Sequence, residues 1–178
     1  AEGVVFTLRL PRMIGAVLVG SALSLSGAAY QGVFKNPLVA PDLLGVSSGA
    51  CVGASVAILL HLNSFGVQAM AFVAGVLAVG LTLFIPRLIK NTNMTMLALS
   101  GIIVKGIMDS VMGIIKYVAD PETELQSITY WQLGSLTKVL PRDLFAVGPV
   151  IIATSVIIFL LRWRINILSL GDREAKTL

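Results

Sequence analysis

Lys105 and Asp109 stand four residues apart in the middle of a long apolar run. Each costs from about 2.5 kcal/mol upward at the centre of a bilayer. Their spacing puts both on one face of a helix, within reach of each other. Either they neutralise each other inside a helix bundle, or they give a translocation path a polar lining. Gly45-Val46-Ser47-Ser48-Gly49 has the spacing of a hydrolase nucleophile elbow, which requires a strand, a sharp turn and a helix. Here the pattern opens an apolar run. The only histidine, His61, lies about four helical turns further on and cannot serve Ser47 as a base. The pattern therefore reads as a Gly/Ser-rich helix start. Gly101 to Gly106 lacks the Gly-Lys-Ser/Thr ending of a phosphate-binding loop, so no ATP site is expected. One histidine and the single Cys51 make neither a metal site nor a disulfide. No catalytic residue, metal or directly bound cofactor is expected.

The elements that position these residues follow from composition. Of 178 residues, 56% are hydrophobic and only 12% charged, against roughly 25% charged in soluble domains. The mean hydropathy is +0.92. Too few charges exist to cover a water-facing surface, so lipid is the expected solvent. The net charge of +4 is dispersed in short groups, which argues against a nucleic-acid partner.

Five apolar stretches approach the ~20 residues that a membrane-crossing helix needs. They cover about 13–34, 44–62, 67–89, 94–118 and 144–161. Breakers separate them: Asn36-Pro37, Ala40-Pro41, Asn63-Ser64, Asn91-Thr92-Asn93 and Asp120-Pro121-Glu122, with Pro141 and Asp143 near the last start. Residues 125–136, with Tyr130 and Trp131, are too short to span and suit an interfacial helix. The expected fold is all-α: a polytopic membrane helix bundle of about five spans and one interfacial helix, forming a single domain over 1–178. Gly49 with Gly53, and Ala71 with Gly75, have the small-xxx-small spacing that lets helices pack closely in lipid. Lys and Arg are distributed seven to five between the two sides. This bias places the C-terminal tail in the cytoplasm and residues 1–12 outside.

Three stretches, in order, carry a resemblance. They are Leu8-Arg9-Leu10-Pro11-Arg12 leading into Val19–Leu23 and Ser26-Gly27, then Asn36–Pro41 followed by Leu44–Ala50, then Leu168–Ala175. Together they resemble the FecCD-type, BtuC-like permeases of ABC importers, which take up iron–siderophore complexes, haem or vitamin B12. The resemblance implies a permease subunit of ten membrane helices in the bacterial cytoplasmic (inner) membrane, paired with a second permease subunit. Two ATPase subunits would sit inside and an extracytoplasmic substrate-binding protein outside. The chain would supply helices two to six and the start of the coupling loop, an N-terminal-half fragment.

By resemblance, Arg9 and Arg12 pair with glutamates of the binding protein. A guanidinium fork suits a carboxylate in two-point contact. Asn93-Met94-Thr95 falls at the cytoplasmic gate. Gly171, Asp172, Arg173, Glu174, Ala175 and Leu178 belong to the helix that rests on the ATPase. ATP would be used by that partner, and the permease would be no enzyme. Lys105 and Asp109 depart from the apolar and small residues usual on that helix. Two rivals remain: an intramembrane enzyme, for which no Ser, His and Asp lie at workable spacing, and an ion-coupled secondary transporter, which midplane charges would suit.

Overall fold

The computed structural model describes residues 5–37, 39–90, 93–137 and 139–170. Among the described residues seven α-helices follow in order: α1 (Leu10–Phe34), α2 (Val46–Leu59), α3 (Ser64–Leu88), α4 (Met94–Val118), α5 (Glu124–Leu133), α6 (Pro141–Leu160) and α7 (Arg162–Leu170). A π-helical turn, Val5–Arg9, leads directly into α1, and a 3-10 turn, Pro41–Leu44, precedes α2. The chain is a multi-pass membrane protein. Four helices are long and apolar enough to cross: α1 with its π-helical turn, α3, α4 and α6.

The sequence signals place α3, α4 and α6 within three residues of the expected spans. Asn63 caps α3, its side chain accepting the Gly66 N–H at 2.8 Å. Pro141 opens α6 where its missing N–H costs nothing, and Asp143 accepts the Leu140 N–H at 3.1 Å. The expected interfacial helix is α5, ten residues long. Residues 162–164 begin α7, and the Arg162 guanidinium lies 4.3 Å from the Phe159 ring centroid.

The apolar run expected to span at 44–62 contains a shorter helix than the run itself. Its helix is α2, 14 residues, a rise of about 21 Å against the ~30 Å hydrocarbon core. Gly45 at φ 74° holds the left-handed conformation that stops the helix from extending backward. His61, at φ 51°, ends it forward.

The chain divides into two compact units. One comprises residues 1–41 and 135–178, the other Asp42–Gly134. In the first, α1 and α6 run parallel: Gly15 faces Val139 and Leu144, and Gly148 faces Leu18. Gly32, further along α1, faces Ile165 of α7. An apolar groove of ≈ 430 Å³ lies between α1 and α6, walled by Phe6, Leu10, Ile14, Phe145 and Ile152 among others.

In the second unit α2 packs against α3 through the two small-residue stripes read in the sequence. A Cβ at Gly49 would come within 2.5 Å of the Ala78 Cβ, and one at Gly53 would overlap the Met70 carbonyl. Lipid offers no hydrophobic drive between helices, so this close backbone approach supplies the attraction. On the other side of α2, Met112, Ile115, Ala119 and Ile128 form a core, with Val56, Leu59 and Leu125 packed against it. Ser55 donates to the Met112 sulfur at 3.4 Å.

Asp120 builds the start of α5. Its Oδ1 accepts the N–H of Glu122 at 2.9 Å and of Thr123 at 3.1 Å, while its own N–H donates to Glu124 Oε2 at 3.1 Å. The Glu122 amide first, then the Thr123 hydroxyl and amide, hold this carboxyl below its ordinary range. A depressed carboxyl contributes above the unfolded value and loses its contribution as pH falls through the folded value. Acidification through that range is therefore expected to reduce the protection of the Glu122 and Thr123 amides relative to their intrinsic exchange rates. D120N, which keeps an acceptor but does not titrate, should flatten that pH dependence.

Candidate functional site

Pro41, Asp42, Leu43 and Leu44 form one 3-10 turn. Irregular backbone at membrane depth survives only where its polar groups are satisfied by protein or by water in a cavity. Two such hydrogen bonds are visible here. The Gly45 N–H donates to the Asp42 carbonyl at 3.0 Å, and the Thr82 hydroxyl, fully buried, donates to the Leu44 carbonyl at 3.0 Å. Gly101 leaves the space that the Leu43 carbonyl enters; a Cβ there would overlap that oxygen.

One helical turn further along α4, Lys105 Nζ reaches Asp42 Oδ2 at 2.6 Å. Lys105 is the twelfth of the 25 residues of α4, so the pair sits at the middle of a spanning helix. The side chains remain 46% and 35% exposed, so the pair has an open side. The expected Lys105–Asp109 pairing is thereby corrected. Asp109 is exposed and contributes only field at Lys105, because a carboxylate on a neighbouring turn can approach the ammonium end-on while one on its own helix must bend back. Asp42 went unnoticed as a site residue. The signal was present: a carboxylate beside Pro41 in a chain with few charges and one mid-span lysine without an assigned outside partner.

The expected binding-protein residues lie together on the first unit. Arg9 closes the π-helical turn and is exposed; Arg12 lies one turn on, inside α1, and is half-buried. Both are therefore helical, not part of a loop before the span. The Arg12 Nε is enclosed and has no hydrogen-bond partner among the described residues. Arg142, in the first turn of the parallel α6, lies at the same end of this helix pair.

Asn93 is the N-cap of α4, and exposed Met94 and Thr95 open its first turn. Gly171, Asp172, Arg173, Glu174, Ala175 and Leu178 lie outside the described residues. Gly45 to Gly49 is a helix start, as its setting implied. His61, beyond the end of α2, lies 3.5 Å from Glu124 and far from Ser47. Among the described residues no three His, Cys, Asp or Glu side chains converge as metal ligands would.

Known proteins resemble this arrangement over its full length. The sequence profile of the FecCD transport family matches residues 1–178. The chain is 35% identical over 178 residues to the molybdate import system permease protein MolB of Haemophilus influenzae, covering 99% of this chain and 52% of that protein. It is 36% identical over 176 residues to the hemin transport system permease protein HmuU of Yersinia pestis, with coverages of 94% and 52%. Against the cobalamin import system permease protein BtuC of Halobacterium salinarum it is 35% identical over 179 residues, with coverages of 100% and 48%. The chain thus spans about half the length of the curated relatives it matches. Its backbone superposes with TM-score 0.92, at 34% identity, on an inward-facing conformation of an ABC transporter assigned to the metal-chelate type, covering 99% of this chain and 56% of that one.

Proposed function

Because the chain belongs to the FecCD transport family, we propose that it forms part of the permease of an ABC importer in the bacterial cytoplasmic membrane. The cargo is an iron–siderophore complex or a chemically related metal chelate such as haem or cobalamin. Relatives named for molybdate, hemin and cobalamin are 35%, 36% and 35% identical to this chain, so similarity over this segment does not single out one cargo. The observation that carries the reading is the coincidence of sequence and backbone across 99% of the chain with a solved transporter of this type. The permease performs no chemistry. A separate ATPase drives it, and a substrate-binding protein delivers the cargo on the side of Arg9 and Arg12. A second permease subunit completes the path. Asn93-Met94-Thr95 narrows the cytoplasmic gate, and residues 171–178 rest on the ATPase. Closure of the ATPases would swing the permease subunits as rigid bodies.

Co-purification tests this. The whole permease, expressed with its neighbouring genes, is expected to retain an ATPase through detergent extraction. Asp172→Arg and Leu178→Asp should release it. If no ATPase is retained, or these substitutions change nothing, the importer reading fails. The secondary-transporter alternative is disfavoured by the family match and by relatives named as import-system permease proteins.

A further inference from the structure

Two side-chain contacts and one close backbone approach converge on five residues, Pro41 to Gly45. Thr82 of α3 bonds the Leu44 carbonyl, Gly101 of α4 admits the Leu43 carbonyl, and Lys105 of α4 holds the Asp42 carboxylate. The chain passes from one compact unit to the other between Pro41 and Asp42. The ion pair therefore fixes the first residue of the second unit. Thr82 and Gly101 act on backbone carbonyls of this segment, while Ser47 adds to the hold on the Asp42 carboxylate from the first turn of α2. Lys105–Asp42 is its charged, side-chain restraint among the described residues.

Two facts say that this pair does more than hide a charge. Asp109 lies on α4 itself, four residues along, and would neutralise Lys105 without crossing between elements. The chain instead joins the ammonium to a turn 63 residues away in sequence. Second, the pair is half-open at mid-span. Two well-packed apolar side chains would cost less there, since desolvating an ion pair offsets much of its attraction. Directional restraint is what an ion pair adds and apolar packing does not.

We propose that Lys105 and Asp42 are positioning residues of transport: their ion pair anchors the start of α2 to the middle of α4 and transmits the movement of the spanning helices to the irregular segment Pro41–Gly45. The anchor stays closed through the cycle. This rests on the importer reading above.

The test uses the whole permease with its ATPase and binding protein in lipid vesicles. Cargo delivered per ATP hydrolysed is measured for wild type, D42N, K105M, the reversals D42K and K105D, and the exchange D42K/K105D. Assembled D42N and K105M are expected to lower that ratio about 5-fold or more while ATP hydrolysis continues. The reversals should fall further, and the exchange should return to within about 2-fold of wild type. A merely stabilising role would lower the amount of assembled complex and leave the ratio unchanged, which would overturn the proposal. An exchange variant that assembles and remains as uncoupled as K105D also overturns it. If a variant fails to assemble, cargo per ATP is read from the exchange variant and from K105R, which keeps the charge and should retain coupling; uncoupling in both sinks the anchor. A wild type that transports nothing refutes the importer reading instead, so the two failures are distinguishable.

Discussion

Replacing Gly101 with alanine is expected to dismantle the second compact unit. The added Cβ would overlap the Leu43 carbonyl oxygen. A flexible side chain could move aside, but here the obstacle is backbone. The next carbonyl, of Leu44, is held by the buried Thr82 hydroxyl, and the Asp42 carboxylate is held by Lys105. The segment therefore cannot retreat without breaking one of these contacts. Overpacking in a well-packed interior costs about 1–3 kcal/mol. A backbone obstacle tied at both neighbours should reach or pass the upper end of that range, with a loss of at least one buried hydrogen bond worth about 1 kcal/mol added. Thermal unfolding of the purified protein in detergent measures the effect. Gly106→Ala and Gly113→Ala provide the contrast on the same helix, since a Cβ at either meets nothing within 4 Å. They should leave the midpoint unchanged or raise it, since alanine is up to about 1 kcal/mol more favourable than glycine inside a helix. Equal behaviour of all three variants would mean that the Gly101–Leu43 approach carries no weight.

That contrast marks the boundary of what the sequence could reveal. Period, length and breakers locate α3, α4 and α6, because a membrane helix must run uninterrupted through hydrocarbon and must end on capping residues such as Asn63 and Pro141. The GxxxG pair Gly49/Gly53 and the pair Ala71/Gly75 were legible as packing stripes, and the structure sets them against each other. Gly106 and Gly113 look no different in the sequence from Gly101. Only the position of the Leu43 carbonyl separates them, and that is a tertiary fact.

The bounds of the short α2 were hidden for a related reason. An apolar run of 44–62 satisfies the length rule, yet Gly45 adopts φ 74° and the turn before it is 3-10. Hydropathy reports the solvent and not the backbone conformation, so an irregular segment whose polar groups are met by protein passes for helix. Likewise Lys105 and Asp109 satisfy the i,i+4 rule, and that rule considers one helix at a time. The partner that won, Asp42, comes from another element and approaches the ammonium directly.

Arg9 and Arg12 should weaken binding-protein docking in different ways when substituted, which makes the proposed outside contact falsifiable in detail. Arg9 is exposed at the end of the π-helical turn, while Arg12 is half-buried with its Nε enclosed and, among the described residues, unpartnered. Exposed rim charges act chiefly on the association rate and its salt dependence, whereas enclosed charge pairs act on dissociation. Arg9→Ala is therefore expected to slow association, with a deficit that shrinks as salt rises and screening shortens toward about 3 Å at 1 M. Arg12→Ala should speed dissociation and cost about 2–5 kcal/mol, which is about 30-fold to several-thousand-fold in affinity. Arg12→Lys keeps the charge and loses the planar fork, so it should fall short of wild type as well. Binding of the cognate substrate-binding protein to permease in lipid nanodiscs, followed in real time at two salt concentrations, separates the rates. Identical kinetics for all variants would remove both arginines from the contact. A dissociation effect at Arg9 with none at Arg12 would invert the assignment, because Arg12 is the half-buried one of the two, with its Nε enclosed.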